Sequence, residues 1–346
     1  MSTMEFSDLT SILFENYGSL ITDTVVQQGP GNWLIPGQSV FGRLREVGQV
    51  FLGGADGNDR FCREWGVHTG TASATAIDQN DAYPAASQES FGEASLAWKR
   101  IAISMEFDNL VRLATRKNAA RGGLSPISED FKRKLKAIVH KIESDLGTDG
   151  SGTSGKDVTG CKSFLATANT YAGIDQSANA WWRSAVTDAT TGALTLTLLD
   201  TVMGALWDRN AIGPSCEIWM SRTQWNKYVG LFTSDMRYAP KGSVAQSVEP
   251  RYDNGVVDLP IHVLKSVEAD EIWVVNTDEL ELRFLDHVPA DQLSEIKDDQ
   301  VMHEGFPIGF EQISTGSDKK AIALKAYVQL CCQNPYRTGA LINLAT

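Results

Sequence analysis

Gly150, Gly152 and Gly155 spell G-x-G-x-x-G, the spacing with which a glycine-rich turn cradles a pyrophosphate. That fingerprint needs a strand before it and, after it, a helix whose N-terminus faces the phosphates. Here a helical pattern precedes the glycines, and Lys156 to Phe164 shows no clear helix behind them. A flexible Gly/Ser linker is the preferred reading. A nucleotide-binding enzyme using the Gly150–Gly155 run stands as the alternative from another functional class. Asp286, His287 and His303 could exchange protons, yet their spacing meets no acid–base template. Met302 to Phe306 reads MHEGF and lacks the second histidine of a zinc-protease helix. Cys62, Cys161, Cys216, Cys331 and Cys332 show no C-x-x-C spacing, and the neighbours Cys331 and Cys332 point to opposite faces of a strand. Free, largely buried thiols in a reducing compartment are expected, with no metal and no cofactor. None of these groups forms a reactive constellation.

Charge is distributed unevenly. The net charge of −12 argues against a simple nucleic-acid binder, whose affinity comes from neutralising phosphates. Arg112, Arg116, Lys117, Arg121, Lys132, Arg133, Lys134, Lys136 and Lys141 nevertheless fall in one stretch. They face a partner, either an acidic neighbour or DNA, or they form a solvated helix face. No window approaches a membrane span, and the opening MSTMEFSDL has no basic n-region. A soluble chain used inside a cell is expected, with no membrane partner.

The elements that must position these residues follow from periodicity. Phe6 to Ile21 has helical spacing, and Gln27 to Gly57, rich in Gly and Pro, reads as an extended arm anchored by Trp33, Phe41 and Phe51. Phe61 to Thr69 alternates as a strand, with Cys62 on the face opposite Trp65. A returning strand runs from Ala94 to Met105, with a register change at Arg100. The polar stretch between them should project as a long hairpin loop, Ala76 to Ser90, or be a disordered tip.

Ser125-Pro126 opens a helix whose stripe of Phe131, Leu135, Ile138, Val139, Ile142 and Leu146 stops at Gly147. Leu198 to Trp207 predicts a helix ending near Asn210, and Cys216 to Met220 a buried strand. Ser221-x-x-Gln224 predicts a capping box opening a helix through Trp225, Val229 and Phe232. Strands are expected at Leu259–Leu264, Ile272–Val275, Leu280–Leu285 and Ala321–Cys332. The class is α+β, without repeats or a βαβ cadence.

Three segments in order carry a resemblance. IESDLGTDGSGTSG closes the long helix; TYAGIDQSANAWWR, Thr170 to Arg183, precedes GALTLTLLDTVMGAL and CEIWMSRTQWNKYVGLF; YVQLCCQNPYRTGAL lies near the C-terminus. In order they span Ile142 to Leu341, more than half of the chain. The chain resembles the major capsid proteins of tailed bacteriophages, a fold shared with herpesvirus capsids and encapsulins.

That resemblance implies an N-arm over residues 1–60, an E-loop over 61–105, a peripheral domain over 106–157 and 280–330, and an axial domain over 158–279 and 331–346. It implies no catalysis, but self-assembly as hexamers and pentamers into an icosahedral head around double-stranded DNA, in a virion built in the host cytoplasm. A portal protein is an implied partner, and so are separate scaffolding and cement or decoration proteins. The scaffold follows from the absence here of a leading helical domain of the kind fused in some relatives. An encapsulin-like compartment shell is the alternative within the same fold. Trp181, Trp182, Arg183, Lys132, Lys134, Lys136, Tyr83 and Trp33 are expected at intersubunit contacts, with core packing the competing reading for at least one tryptophan. Some members weld neighbours through an E-loop lysine. This chain has no lysine between Glu64 and Trp98, and Lys99 sits at the hairpin base, so a non-covalent shell is expected.

Overall fold

Alternating apolar residues from Ile322 to Leu330 produce β15 (Lys319–Cys332), and the first sheet is assembled around it. The structure, a computed structural model, describes residues 39–52, 61–69, 91–108, 126–231, 251–253, 258–285, 300–303, 306–313 and 319–346. The expected helix at Phe6–Ile21, the loop Ala76–Ser90, and Trp33, Tyr83, Arg112, Arg116, Lys117, Arg121, Phe232, Asp286 and His287 lie outside these residues.

In the first sheet β15 is flanked by β4 (Lys99–Asp108), β12 (Leu280–Phe284) and β14 (Phe306–Ile313), all antiparallel. β13 (Gln300–His303) extends one side, and β1 (Val50–Leu52) lies parallel to β12 on the other. From Ala323 to Val328 burial alternates along β15; from Val328 to Cys332 every residue is buried, because both faces of the strand are covered there. α2 (Pro126–Leu146) lies against β4 and β15 and buries Leu135, Ile138, Val139, Ile142 and Leu146, as its stripe predicts.

The second sheet runs β7 (Ala185–Asp188), β16 (Gly339–Ile342), β11 (Ile272–Asn276), β8 (Cys216–Met220), β10 (Asp258–Val263), β9 (Arg251–Asp253). α3 (Leu196–Asp208) covers it with Leu199, Val202, Met203 and Leu206, starts on the Thr195 side chain, and gives way at Asn210, whose φ is +50°. Val274 and Ile218 pair across the sheet centre, in a second apolar core separate from the one under α2.

Several expectations change. Within the expected arm, Val40–Glu46 is a helix, α1, capped by Ser39, with Val40, Phe41 and Leu44 fully or almost fully buried against the first core. β2 (Phe61–His68) and β3 (Phe91–Ala97) pair as a separate two-stranded hairpin. Its ladder slips between Phe61 and Arg63, so Cys62, which alternation assigns to the face opposite Trp65, is fully buried. The returning strand is not continuous through Arg100. It breaks at Trp98, and the chain passes from the hairpin into the first sheet as β4. α4 (Arg222–Leu231) starts on half a capping box: Ser221 Oγ accepts from Gln224 N at 3.3 Å, while the Gln224 amide donates to Ala269 O and Ala345 O instead.

Candidate assembly node at the tryptophan turn

Two of the segments singled out by sequence, far apart in the chain, pack into one node. In the first, Thr170–Tyr171 and Ile174–Asp175 form a two-strand turn, β5 and β6, with φ of +52° at Ala172 and +82° at Gly173. Positive φ at both central residues is the type I′ geometry that suits the strand twist. Asp175 then accepts from Ser177 N and Oγ, contacts that hold its carboxyl below the usual range, and Ala180–Trp182 winds as a 3-10 turn. The paired tryptophans therefore do not alternate as in a strand; their rings lie 5.7 Å apart.

Trp182 is buried, and its Nε1 donates to Tyr171 O at 3.1 Å. The buried Gln176 amide donates to Phe164 O and Trp182 O. Arg183 wraps back on its own loop, donating to Gln176 O at 3.0 Å and Ser177 O at 2.6 Å.

The second segment locks onto this turn through buried polar groups. The Tyr171 hydroxyl donates to Cys332 O at 3.2 Å and accepts from Cys332 N at 2.6 Å, with burial pushing the phenol well up. Ser184 Oγ contacts Phe164 O, Pro335 O and Thr338 Oγ1. Arg209 donates to Arg183 O and Tyr336 O while its guanidinium stacks 4.4 Å from the Tyr336 ring. Glu279 and Arg337 pair at 2.7 Å. A groove of about 360 Å³ opens at the node's surface, walled by Trp65, Val67, Trp181, Trp182, Asn334 and Tyr336. Trp65 reaches it from the hairpin, donating Nε1 to Gln333 O at 3.1 Å.

The other expected contact residues divide. Trp182 is core, while the half-buried Trp181 lines the groove. Lys134 donates to Ser104 O at 3.1 Å within its own chain, Lys136 is exposed, and Lys132 lies on α2, its side chain outside the described residues. Tyr171, Gln176, Ser184 and Thr338 escaped sequence reasoning, because no local pattern marks a polar side chain whose partner is a backbone group, as for Tyr171 and Gln176, or a side chain 154 residues away, as for Ser184 and Thr338. Glu143 left a signal: it stands four residues after Val139 on the apolar stripe of α2.

The glycine run is not a flexible linker. Asp149 accepts from Ser151 N and Oγ, Lys99 Nζ donates to Gly155 O, and Lys141 bridges Asp145 and Asp157. A Cβ on Gly152 would lie 2.2 Å from the Asp157 carboxylate. A phosphate would meet the negative charges of Asp149 and Asp157, so the run cannot act as a cradle. Among the described residues Glu268, Asp270 and Glu271 bring carboxylate oxygens together, and there the Lys162 ammonium, 3.0 Å from Glu268 and 2.7 Å from Glu271, supplies the positive charge. His303 lies on the edge strand β13.

A long helix on a sheet centred on β15, a separate hairpin and a second sheet domain define the shell-subunit fold of tailed phages. Solved chains share it. The capsid asymmetric unit of cyanophage A-1(L) matches at TM-score 0.67 and 15% identity, over 96% of this chain and 99% of that one. The capsid of a native GTA particle matches at 0.56 and 11%, over 95% and 100%. An encapsulin complex from Synechococcus elongatus PCC 7942 matches at 0.53 and 9%, over 99% and 96%. No curated protein matches. Residues 107–303, more than half of the chain, match the family described as SU10 major capsid protein, and the chain belongs to that family. It is a structural protein, a subunit that assembles into the shell of a virion capsid.

Proposed function

We propose that this chain assembles as hexamers and pentamers into a non-covalent icosahedral head around double-stranded phage DNA. The observation that carries the reading is the hairpin β2–β3. It is a separate two-stranded sheet, held to the body by Trp65 Nε1 on Gln333 O, Ser95 N on Ala172 O and the buried Cys62, Ala94 and Leu96, with Phe91 68% exposed at the end of its described ladder. An isolated hairpin is marginal in water and gains stability by lying on another surface. Residues 61–105 then serve as the E-loop and 1–60 as the N-arm. Residues 106–157 with 280–330 form the peripheral domain, and 158–279 with 331–346 the axial domain. Closure of a symmetric shell multiplies modest contacts into collective strength.

The non-covalent reading is supported by Lys99. Its ammonium donates to Gly155 O of its own chain at the hairpin base, and no lysine stands between Glu64 and Trp98. A portal protein, separate scaffolding and decoration proteins, and assembly in the host cytoplasm complete the proposal. Electron microscopy of the purified protein, with its companion head proteins, tests it. Closed icosahedral particles that dissociate to a single 37.8 kDa band on boiling in detergent are expected. A ladder of cross-linked multimers removes the non-covalent shell, and a monomeric nucleotide-binding species removes the reading. The similarity to an encapsulin favours a second outcome, in which particles hold protein cargo. Nuclease-protected DNA inside the particles decides for the head.

A further inference from the structure

The slip in the β2 ladder turns Cys62 into the core, where its Sγ lies 3.6 Å from Cys331 Sγ on β15. All five cysteines are free and buried, and among the described residues only this pair brings two thiols into contact. A disulfide needs about 2.05 Å between sulfurs, so closing the gap takes roughly 1.5 Å. The two residues also join two structural units: Cys62 sits at the root of the β2–β3 hairpin, and Cys331 in the stretch of β15 paired with β12. We propose that Cys62 and Cys331 form a thiol–disulfide exchange site, oxidised by a small-molecule disulfide to a bond that fastens the hairpin root to the central strand of the first sheet.

The exchange proceeds in two displacements. Cys62 Sγ, as thiolate, attacks one sulfur of the small disulfide and expels one small thiolate, leaving a mixed disulfide. Cys331 Sγ, as thiolate, then attacks Cys62 Sγ, forms the Cys62–Cys331 bond and expels the second. The protein pair loses two electrons, the small disulfide gains them, and the two protons leave on two small thiols.

The folded arrangement sets the conditions. The adjacent Cys62 thiol and burial push the Cys331 thiol well above its ordinary range, so the closed pair resists attack at neutral pH. Exchange therefore requires the hairpin root to lift. It is tied down by Arg63 to Glu281 at 3.1 Å, Trp65 Nε1 to Gln333 O at 3.1 Å and Ser95 N to Ala172 O at 3.1 Å, and by Cys62, Ala94 and Leu96 buried in the first core. A two-stranded unit that is no part of either larger sheet opens locally at lower cost than those sheets open globally. A reducing compartment keeps the pair as dithiol, and an oxidising solution supplies the oxidant.

The test uses the full-length protein with oxidised glutathione, and thiols are counted after denaturation. The count should fall from five to three over hours, faster in sub-denaturing urea, and peptide mapping should return a Cys62–Cys331 linked pair. The melting midpoint should rise by about 5 °C. Cys62→Ser should hold at four thiols under the same treatment; Cys331→Ala is the second variant, should the first not fold. Five persistent thiols in urea, or a linkage mapped to any other pair, overturns the proposal. Because the count is read on subunits, it is independent of whether they close into a shell.

Discussion

Glu143 holds the backbone amide of Val40 at 2.9 Å, across 103 residues of chain. The same carboxylate accepts from Phe41 N at 3.1 Å and from Ser266 Oγ, so one buried side chain joins α1, α2 and the turn after β10. Burial pushes this carboxyl up to about 7 against the lowering effect of its three donors. Its proton is therefore bound more tightly in the folded chain than in the unfolded one. The resulting stability is full below about pH 4.5 and is lost as pH rises through 7. Over that window the contribution is of order 3 kcal/mol. Glu143→Gln should cost about 1–3 kcal/mol at pH 5 and flatten the slope between pH 5 and 8. Thermal melts of both proteins across that range check the sign; an unchanged slope refutes the assignment.

Arg43 ties α1 to the second sheet. Its Nε and Nη2 bind both oxygens of Glu217 on β8, at 3.0 and 2.6 Å, where Glu217 is nearly buried. Removing the guanidinium leaves a buried carboxylate with Trp219 Nε1 and His262 nearby. Arg43→Ala should destabilise by about 3–5 kcal/mol. Arg43→Lys should recover only part of this, since an ammonium cannot bind both oxygens in plane. Urea unfolding midpoints at constant slope provide the measurement.

The two tryptophans should separate by assay. Trp182→Ala removes a core ring and a bond to Tyr171 O, and about 3–5 kcal/mol of subunit stability should go with it. Trp181→Ala should change the subunit melt by less than about 1 kcal/mol while lowering particle yield, if its groove face meets a neighbour. Equal loss in both assays for both variants would make the pair core throughout.

The basic face of α2 divides in the same way. Lys134→Glu should lower the melting midpoint modestly, by about 1 kcal/mol, because its bond to Ser104 O is lost. Lys136→Glu, at an exposed position, should leave the melt alone and reduce assembly, as sedimentation of the two variants would show. Normal particles from Lys136→Glu return that residue to a solvated face.

Local order was legible. The stripe from Phe131 to Leu146, the alternation in β15 and the buried strands at Cys216 and Ile272 each follow from a repeat readable within a few turns. What failed were expectations built on weak local signals. Gly- and Pro-rich sequence around Val40 concealed a seven-residue helix, because its stability comes from Glu143 and the core rather than from propensity. The glycine run looked flexible because the bonds that close it come from Lys99, Asp145 and Asp157, outside the run.

By itself the sequence determined the α+β class, most element positions and the order of three recognisable segments, since periodicity and turn chemistry act over short separations. Only the tertiary structure decided which polar side chains matter. It brought Tyr171 to Cys332, Ser184 to Thr338 and Cys62 to Cys331, pairs more than a hundred residues apart. Such contacts depend on where whole elements pack, which no local pattern encodes. It also divided the adjacent tryptophans, burying Trp182 and leaving Trp181 at a groove, because the 3-10 turn that carries them is held by the Gln176 amide and the Tyr171 carbonyl while Trp182 packs into the first core.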